Sequence, residues 1–165
     1  MSADDIDIHP ISPEDAGEVL TLQRAAFVQE ALIYRDVDMP VFTQTLEEVA
    51  YELRDNLGQV ARRGGRMIGA IRARIDGDVL LVGRLAIAPD QQGEGIGSAL
   101  LDAVEMRGRE AGARTAELFT GRLSEANIRL YERQGYAISE AAGGAGGEDE
   151  VFLRKDLAGP VTADD

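Results

Sequence analysis

Cysteine and tryptophan are absent from this chain of 165 residues, and histidine and lysine occur once each, as His9 and Lys155. The lack of cysteine excludes disulfides, cysteine nucleophiles and zinc-thiolate sites. The single histidine lies beside Pro10, so we expect it at the surface and exclude a catalytic pair built around an internal histidine. No apolar run approaches the length needed to cross a bilayer, and residues 1–5 contain no basic segment followed by an apolar one. We therefore expect a soluble cytoplasmic protein.

Basic residues are also scarce: seventeen stand against thirty acidic ones, which gives a formal net charge of -13. This charge opposes nonspecific binding to nucleic acid and to an anionic membrane surface, so we expect neither partner. It weakly favours a cationic partner such as an amine. An acidic surface also serves solubility, and many arginines beside one lysine are compatible with genome composition or a salty cytosol. The charge alone therefore does not identify a substrate.

Hydrophobic periodicity predicts alternating helices and strands of an α/β (α+β) protein. A short strand at residues 6–11 precedes a helix that begins near Ser12 and runs to about Tyr34. A second helix begins at Thr45, where the hydroxyl and Glu48 form a capping box. Three antiparallel strands, a helix, a strand, a helix and a last strand follow, at residues 60–61, 67–75, 79–87, 96–112, 116–120, 124–133 and 150–154.

The chain contains neither an internal repeat nor a linker long enough to separate two domains. We expect one domain over residues 1–157. Residues 141–149, which are rich in glycine and acid, are typical of a flexible hairpin loop before the last strand. Residues 158–165 are interpreted as a flexible acidic tail.

A glycine loop lies between the third of the antiparallel strands and the helix that follows it. Gly93, Gly95 and Gly97 alternate with other residues between Gln92 and Ser98. Backbone N-H groups unobstructed by side chains then lie at the positive end of a helix, which suits a pyrophosphate. The spacing fits neither the Rossmann fingerprint nor the P-loop. Taken alone, the loop could equally be a tight structural turn.

Two motifs in this half of the chain resemble those of the GNAT acetyltransferases. Gln92, Gly95 and Gly97 match the family's coenzyme pattern Gln/Arg-x-x-Gly-x-Gly/Ala. The segment LYERQGY at residues 130–136 is similar to the second motif, Leu-Tyr-x-x-x-Gly-Phe/Tyr. The resemblance covers nearly the whole chain. It implies a single-domain fold with a mixed, mostly antiparallel sheet of about six to seven strands and about four flanking helices.

The same resemblance implies acetyl-CoA as cosubstrate and no metal. Backbone groups of the strand before the loop would pair with the pantetheine arm like an added strand, and the loop would hold the pyrophosphate. Glu94 departs from the family pattern, and we expect its side chain to point to solvent because a carboxylate facing phosphates is unfavourable. The implied coenzyme-binding residues are Leu85, Ala86, Ile87, Gln92, Gly93, Glu94, Gly95, Ile96, Gly97, Ser98, Ser124 and Asn127.

Tyr131 and Glu117 are the candidate catalytic residues. The resemblance places the phenol of Tyr131 near the coenzyme sulfur, where it would protonate the departing thiolate, and a backbone N-H of Leu85 or Ile87 near the thioester carbonyl. Gly83 stands where several relatives carry a glutamate, so Glu117 is the candidate base, acting directly or through water. The alternatives are half-buried packing for Tyr131 and a solvent-facing charge for Glu117.

These features predict an acetyl-CoA-dependent N-acetyltransferase that moves an acetyl group directly to a primary amine of a small molecule or peptide. The alternative is a non-catalytic acyl-CoA-binding sensor or interaction domain; a nucleotide-binding module fits less well because neither phosphate motif is present. Residues 27–49 would border the acceptor, where Asp36 and Asp38 favour a cation and Arg35 could pair with a carboxylate. A homodimer is compatible with the resemblance.

Overall fold

A seven-stranded sheet forms the centre of the computed structural model, which describes residues 5–139 and 150–158. The strand order is β1-β2-β3-β4-β5-β7-β6, and β4 pairs with β5 in parallel while the other neighbours are antiparallel. This confirms the predicted mixed, mostly antiparallel sheet. The strands are β1 Ile6–Pro10, β2 Gln59–Arg63, β3 Arg66–Asp76, β4 Val79–Ile87, β5 Thr115–Gly121, β6 Ala137–Ile138 and β7 Glu150–Asp156.

Helices cover both faces of the sheet. The Cα of Gly69 and the side chain of Arg72 in β3 face opposite sides of the sheet, because successive residues of a strand alternate between its two faces. Gly69 lies against the side chains of Ile96 and Leu100, whereas Arg72 donates to Gln23. The helices are α1 Ala16–Ala26, α2 Val28–Tyr34, α3 Pro40–Thr43, α4 Leu46–Glu52, α5 Ile96–Glu110 and α6 Glu125–Arg133, with 3-10 turns at Pro13–Asp15 and Pro89–Gln91.

The predicted continuous helix from Ser12 to Tyr34 is wrong, because the structure divides it. Phe27 ends α1 and precedes α2, with φ -91° and ψ 6° outside the helical range. Helix α1 buries an apolar face against the sheet and α4, whereas α2 buries none of its residues fully. Apolar residues continue through the break, so their periodicity does not reveal it. The second helix start is confirmed: Glu48 N donates to Thr45 Oγ1 at 3.1 Å, and Thr45 N donates to Glu48 Oε1 at 2.8 Å.

The core lies between the sheet and α5 on one face and between the sheet and α1 with α4 on the other. Leu100, Leu101 and Val104 of α5 are fully buried. Gly108 lets α5 approach β4 closely, since a Cβ at this position would lie 2.8 Å from the side chain of Leu80. The predicted strands and helices after residue 58 are confirmed, with β6 as an addition; α3 is an addition before that residue. The predicted loop at 141–149 and residues 159–165 of the predicted tail lie outside the described residues.

Candidate active site

A cleft opens in the sheet because β4 and β5 diverge. The two strands pair only over Val79–Leu81 and Thr115–Glu117. Beyond these pairs β5 continues along β7 to Gly121, and β4 continues along β3 to Ile87. The facing edges of both strands therefore separate towards the carboxyl end of β4. This is where the sequence predicts an extended coenzyme arm to add as a strand.

One cavity of about 440 Å³ extends from this cleft to the glycine loop, and we call it the coenzyme-side cavity. It is bounded by the end of β4, the loop before α5, the first turns of α6 and residues around the α1–α2 break. Most of the predicted coenzyme-binding residues line it, namely Leu85, Ile87, Gln92, Gly93, Gly95, Ile96, Gly97, Ser98, Ser124 and Asn127.

The glycines of the loop occupy positions that other residues fit poorly. Gly93 and Gly95 have φ angles of 82° and 83°, in the left-handed region, and Gly95 is the N-cap of α5. A Cβ at Gly97 would lie 3.1 Å from Leu130 Cδ2 on α6. The loop therefore brings bare backbone to the N-terminus of a 15-residue helix, as an anion site requires.

Two predicted residues, Glu94 and Ala86, do not line this cavity. The carboxylate of Glu94 pairs with Arg63 Nη2 at 3.1 Å and is partly exposed, so it is directed away from the loop's anion site. Ala86 is 3% exposed and packs in the core, so only its backbone could contact the coenzyme. The expected orientation of Glu94 is thereby explained by an ion pair.

A second cavity, of about 550 Å³, lies on the other side of the cleft, and we call it the acceptor-side cavity. It is bounded by β4 from Val82 to Leu85, the end of β5, α2 with the segment that follows it, and Tyr131. Asp36 lines it, whereas Asp38 and Arg35 do not. The segment expected to border the acceptor thus contributes one of its three charged candidates.

The two cavities meet at a junction, and five residues line both: Phe27, Glu30, Leu85, Ser124 and Asn127. Glu30 is the charged one. Its Oε2 accepts a hydrogen bond from Ser124 Oγ at 2.6 Å, and its Oε1 accepts one from Asn127 Nδ2 at 3.3 Å. Sequence reasoning assigned Ser124 and Asn127 to the coenzyme, and the structure adds that both hold this carboxylate.

The carboxylate of Glu30 is also fixed by a chain of hydrogen bonds. Leu123 N donates to Tyr34 Oη at 2.9 Å, and Tyr34 Oη lies 2.9 Å from Ser124 Oγ. Because the Ser124 hydroxyl donates to Glu30, Tyr34 is the donor to Ser124. Gly121 makes this possible, since a Cβ there would collide with Tyr34 Oη. These hydrogen bonds attach α2, the helix after the break, to the start of α6.

Tyr131 is buried beside the junction, with 8% of its surface exposed, and lines the acceptor-side cavity. Burial raises the pKa of its phenol above the ordinary value, and the negative charge of Glu30 raises it further. Among the described residues its hydroxyl has no hydrogen-bond partner, so the proton is free to be donated to a bound molecule. A phenol with a raised pKa stays protonated at neutral pH, which is the form a proton donor requires.

Comparison with known proteins agrees with this geometry. Residues 22–136 match the Acetyltransferase (GNAT) family, a span that includes the glycine loop and Tyr131. The chain belongs to the GNAT acetyltransferase family.

Among curated GNAT relatives, the IAA acetyltransferase of Azospirillum brasilense is 35% identical over 101 residues, which are 59% of this chain and 66% of that protein. The mycothiol acetyltransferase of Propionibacterium freudenreichii is 26% identical over 130 residues, 76% of this chain and 41% of that protein. The chain thus spans less than two thirds of the length of either. The PaiA N-acetyltransferase of Thermoplasma acidophilum, solved with coenzyme A, superposes with a TM-score of 0.83 at 18% identity, covering 94% and 99% of the two chains. This likeness shows the GNAT fold.

Glu117, the base expected from sequence, is not part of the cleft of this GNAT protein. It lines neither cavity. Its carboxylate pairs across strands with Arg154 of β7, whose Nε lies 3.0 Å from Glu117 Oε2. The structure therefore does not bring Glu117 together with Tyr131. It does not place a solvent-facing charge there either, because the Glu117 side chain is 15% exposed and ion-paired.

Glu30 is the functional candidate that sequence reasoning missed. It lies within a stretch interpreted as one helix, and no motif distinguishes it from the other acidic residues nearby. The signal was indirect: Gly83 leaves the β4 position without a carboxylate, so a base has to come from another element. The turn at Phe27, which places Glu30 at the junction, is not visible in the apolar pattern.

The described ranges hold neither a metal-ligand cluster nor a membrane-spanning helix. Residues 5–139 and 150–158 contain no group of three or more His, Cys, Asp or Glu side chains that could hold a metal ion. In the same ranges, every helix is too short or too polar to cross a membrane.

Proposed function

We propose that this GNAT protein is an N-acetyltransferase that moves the acetyl group of acetyl-CoA directly to a primary amine. The observation that carries the proposal is the junction, where a fixed carboxylate lies between two cavities and a phenol, unpaired among the described residues, lines the acceptor-side cavity beside it. One cavity has the features of a coenzyme site and the other is open to an acceptor. Substrates entering from opposite sides would meet there, so no covalent acetyl-enzyme is needed.

The coenzyme-side cavity fits a pyrophosphate with an extended arm. Bare backbone at Gly93 and Gly95 faces the N-terminus of α5, and the unpaired edge of β4 near Leu85 and Ile87 offers hydrogen-bonding groups along the cleft. Acetyl-CoA supplies the thioester whose C-S bond breaks as an N-C bond forms. A backbone N-H of Leu85 or Ile87 would stabilise the developing charge on the carbonyl oxygen.

Glu30 is proposed to receive the proton of the amine. Its two oxygens are held by Ser124 and Asn127, so the carboxylate is fixed before a substrate arrives. The nitrogen becomes more acidic as it attacks the carbonyl carbon, and the proton can then pass to Glu30 Oε1 or Oε2, directly or through water. This role replaces the one expected for Glu117.

Tyr131 is proposed to supply the proton that the departing sulfur needs. Its phenol is buried, protonated and without a partner in the described part of the chain. The same coenzyme cavity would serve the non-catalytic acyl-CoA sensor, and the presence of both a carboxylate, Glu30, and a proton donor, Tyr131, is what favours catalysis over that alternative.

The proposal is tested by thiol release from acetyl-CoA over a panel of primary amines, with coenzyme binding measured calorimetrically on the same preparation. We expect binding together with thiol release that depends on the amine. Glu30→Gln keeps the size of the side chain and removes the base, so kcat should fall roughly 100-fold. The matched control Glu110→Gln changes an exposed glutamate at the end of α5 and should leave kcat unchanged. Coenzyme binding without thiol release from any amine would support the sensor instead.

A further inference from the structure

Arg84 is a basic side chain in the wall of the acceptor-side cavity, and its position results from a β-bulge. On β3 the register advances by two residues, from Ala70 to Arg72, while on β4 it advances by three, from Ala86 to Gly83. Arg84 has φ 53°, in the left-handed region. A bulge redirects the side chain of the extra residue, which here brings a half-buried guanidinium to the cavity.

No carboxylate of residues 5–139 or 150–158 pairs with this guanidinium. The carboxylate of Glu52 attracts it electrostatically, but that carboxylate is already engaged. Glu52 forms an ion pair with Arg72, and its Oε2 accepts a hydrogen bond from Gln44 Nε2 at 2.6 Å. Among the described residues, Arg84 is therefore attracted by the charge of Glu52 at a distance but has no direct partner.

The charge of Glu52 thus acts on two guanidiniums, on Arg72 as a direct partner and on Arg84 at a distance. Arg72 is 6% exposed, donates to Gln23 Oε1 at 2.6 Å, and has no acceptor for its Nε within the described part of the chain. Burial lowers the pKa of Arg72 to about 10, and the charge of Arg84 contributes to that shift. Burial also lowers the pKa of Arg84. A half-buried cation in this position is stabilised by a bound anion.

The rest of the cavity carries the opposite charge. Glu30, Asp36 and Glu150 line it, on α2, after α2 and at the start of β7. Glu30 lies at the junction where the amine would react. The cavity therefore presents a cation on the β4 bulge and carboxylates on other walls, which suits a molecule with both an anionic and a cationic group.

We propose that Arg84 binds a carboxylate of the acceptor while Glu30 faces its amine, so that the acceptor is a small amino carboxylate, of which a free α-amino acid is the simplest case. The inference rests on the proposed N-acetyltransferase function and refines it. The net charge of -13 favours a cationic acceptor in general, but the one basic residue lining the cavity in the described structure selects for an anion next to that amine. The role considered for Arg35 passes to Arg84.

The test compares each of the common amino acids with its own α-amide in the thiol-release assay. The amide keeps the amine nitrogen and the side chain and removes the negative charge; it also lowers the pKa of the amine, an effect that is the same in wild type and variants and so cancels when their ratios are compared. We expect the amino acid that reacts best to exceed its amide at least about tenfold in kcat/KM. In Arg84→Gln this ratio should fall by about tenfold or more, mainly through KM, and Arg84→Lys should retain part of it.

A purely structural role for Arg84 would weaken amino acid and amide alike and leave their ratio unchanged. Arg74→Gln is the matched control, because Arg74 is an exposed arginine of β3 outside the cavity, and it should keep the wild-type ratio. An unchanged ratio in a folded Arg84→Gln protein overturns the inference, as do amides or carboxylate-free amines that react as well as amino acids. Coenzyme binding with no thiol release from any amine overturns the proposed function, and with it this inference.

Discussion

At the scale of single residues, the candidate chemistry depends on a contrast between Glu30 and Tyr131. Glu30 lines both cavities and Tyr131 lines the acceptor-side cavity beside it, but the carboxylate is held by Ser124 and Asn127 whereas the phenol is unpaired in the described structure. Burial raises the pKa of Tyr131 and the charge of Glu30 raises it further, so the phenol keeps its proton. The two side chains are therefore suited to opposite roles, one to receive a proton and one to donate it.

Removing the donor tests the second role. Tyr131→Phe keeps the ring and its packing, so kcat should fall roughly 100-fold while the Kd for acetyl-CoA stays within about twofold. Because the pKa of Tyr131 is raised from its ordinary 10.0, its deprotonation should not reduce the wild-type kcat at or below that pH. Stopped-flow kinetics measures kcat and its pH dependence, and calorimetry measures the Kd. Tyr51→Phe, at an exposed tyrosine, is the control; equal kcat in wild type and Tyr131→Phe would show that Tyr131 only packs.

At the scale of elements, two departures from regular structure position the site: the break between α1 and α2 and the divergence of β4 from β5. The break at Phe27 turns α2 so that Glu30 reaches the start of α6. The divergence leaves room between the strands for a substrate arm. The glycine loop completes the site because its backbone lies at the N-terminus of α5.

The loop is tested by adding a single methyl group. Gly95→Ala places a side chain at φ 83°, where it is strained, at the N-terminus of α5. We expect the Kd for acetyl-CoA to rise about tenfold or more, since a shift of about 1.4 kcal/mol corresponds to a factor of ten. Gly77→Ala carries comparable strain at φ 64° in the β3–β4 turn and should leave the Kd unchanged. If both variants bind the coenzyme as the wild type does, the loop is a structural turn.

These elements also explain which parts of the site are predictable from sequence. Gly95, Gly97 and Tyr131 belong to local motifs, whose residue types and spacing are set by the backbone positions they occupy. Glu30 and Arg84 depend on a helix break and on a bulge that arise from packing between segments far apart in the chain. The functional role of these two side chains depends on the tertiary structure. The apolar periodicity that predicts the helices and strands therefore does not identify them.

At the scale of the whole molecule, the net charge of the protein, -13, has the same sign as the charge of acetyl-CoA. Acetyl-CoA carries several negative charges, so its approach is opposed at long range although the loop attracts its phosphates at short range. Salt screens the long-range repulsion more strongly than contacts within a partly enclosed cavity.

The association rate of acetyl-CoA should therefore rise with ionic strength between low and physiological salt. Stopped-flow binding over a series of sodium chloride concentrations measures it, with a neutral pantetheine thioester as the control that lacks the phosphates. We expect a rate for the control that is independent of salt. A rate for acetyl-CoA that falls with added salt would mean that local basic residues, such as Arg133 beside the coenzyme-side cavity, outweigh the net charge.

We propose that acetyl transfer ends on nitrogen at the junction of the two cavities. NMR identifies the acetylated atom in the product formed from acetyl-CoA labelled with carbon-13 at the carbonyl and an amine acceptor labelled with nitrogen-15. We expect one acetylated product per thiol released, with the carbonyl carbon coupled to the amine nitrogen. Free acetate, or an acetyl group on oxygen, as the main product would contradict it.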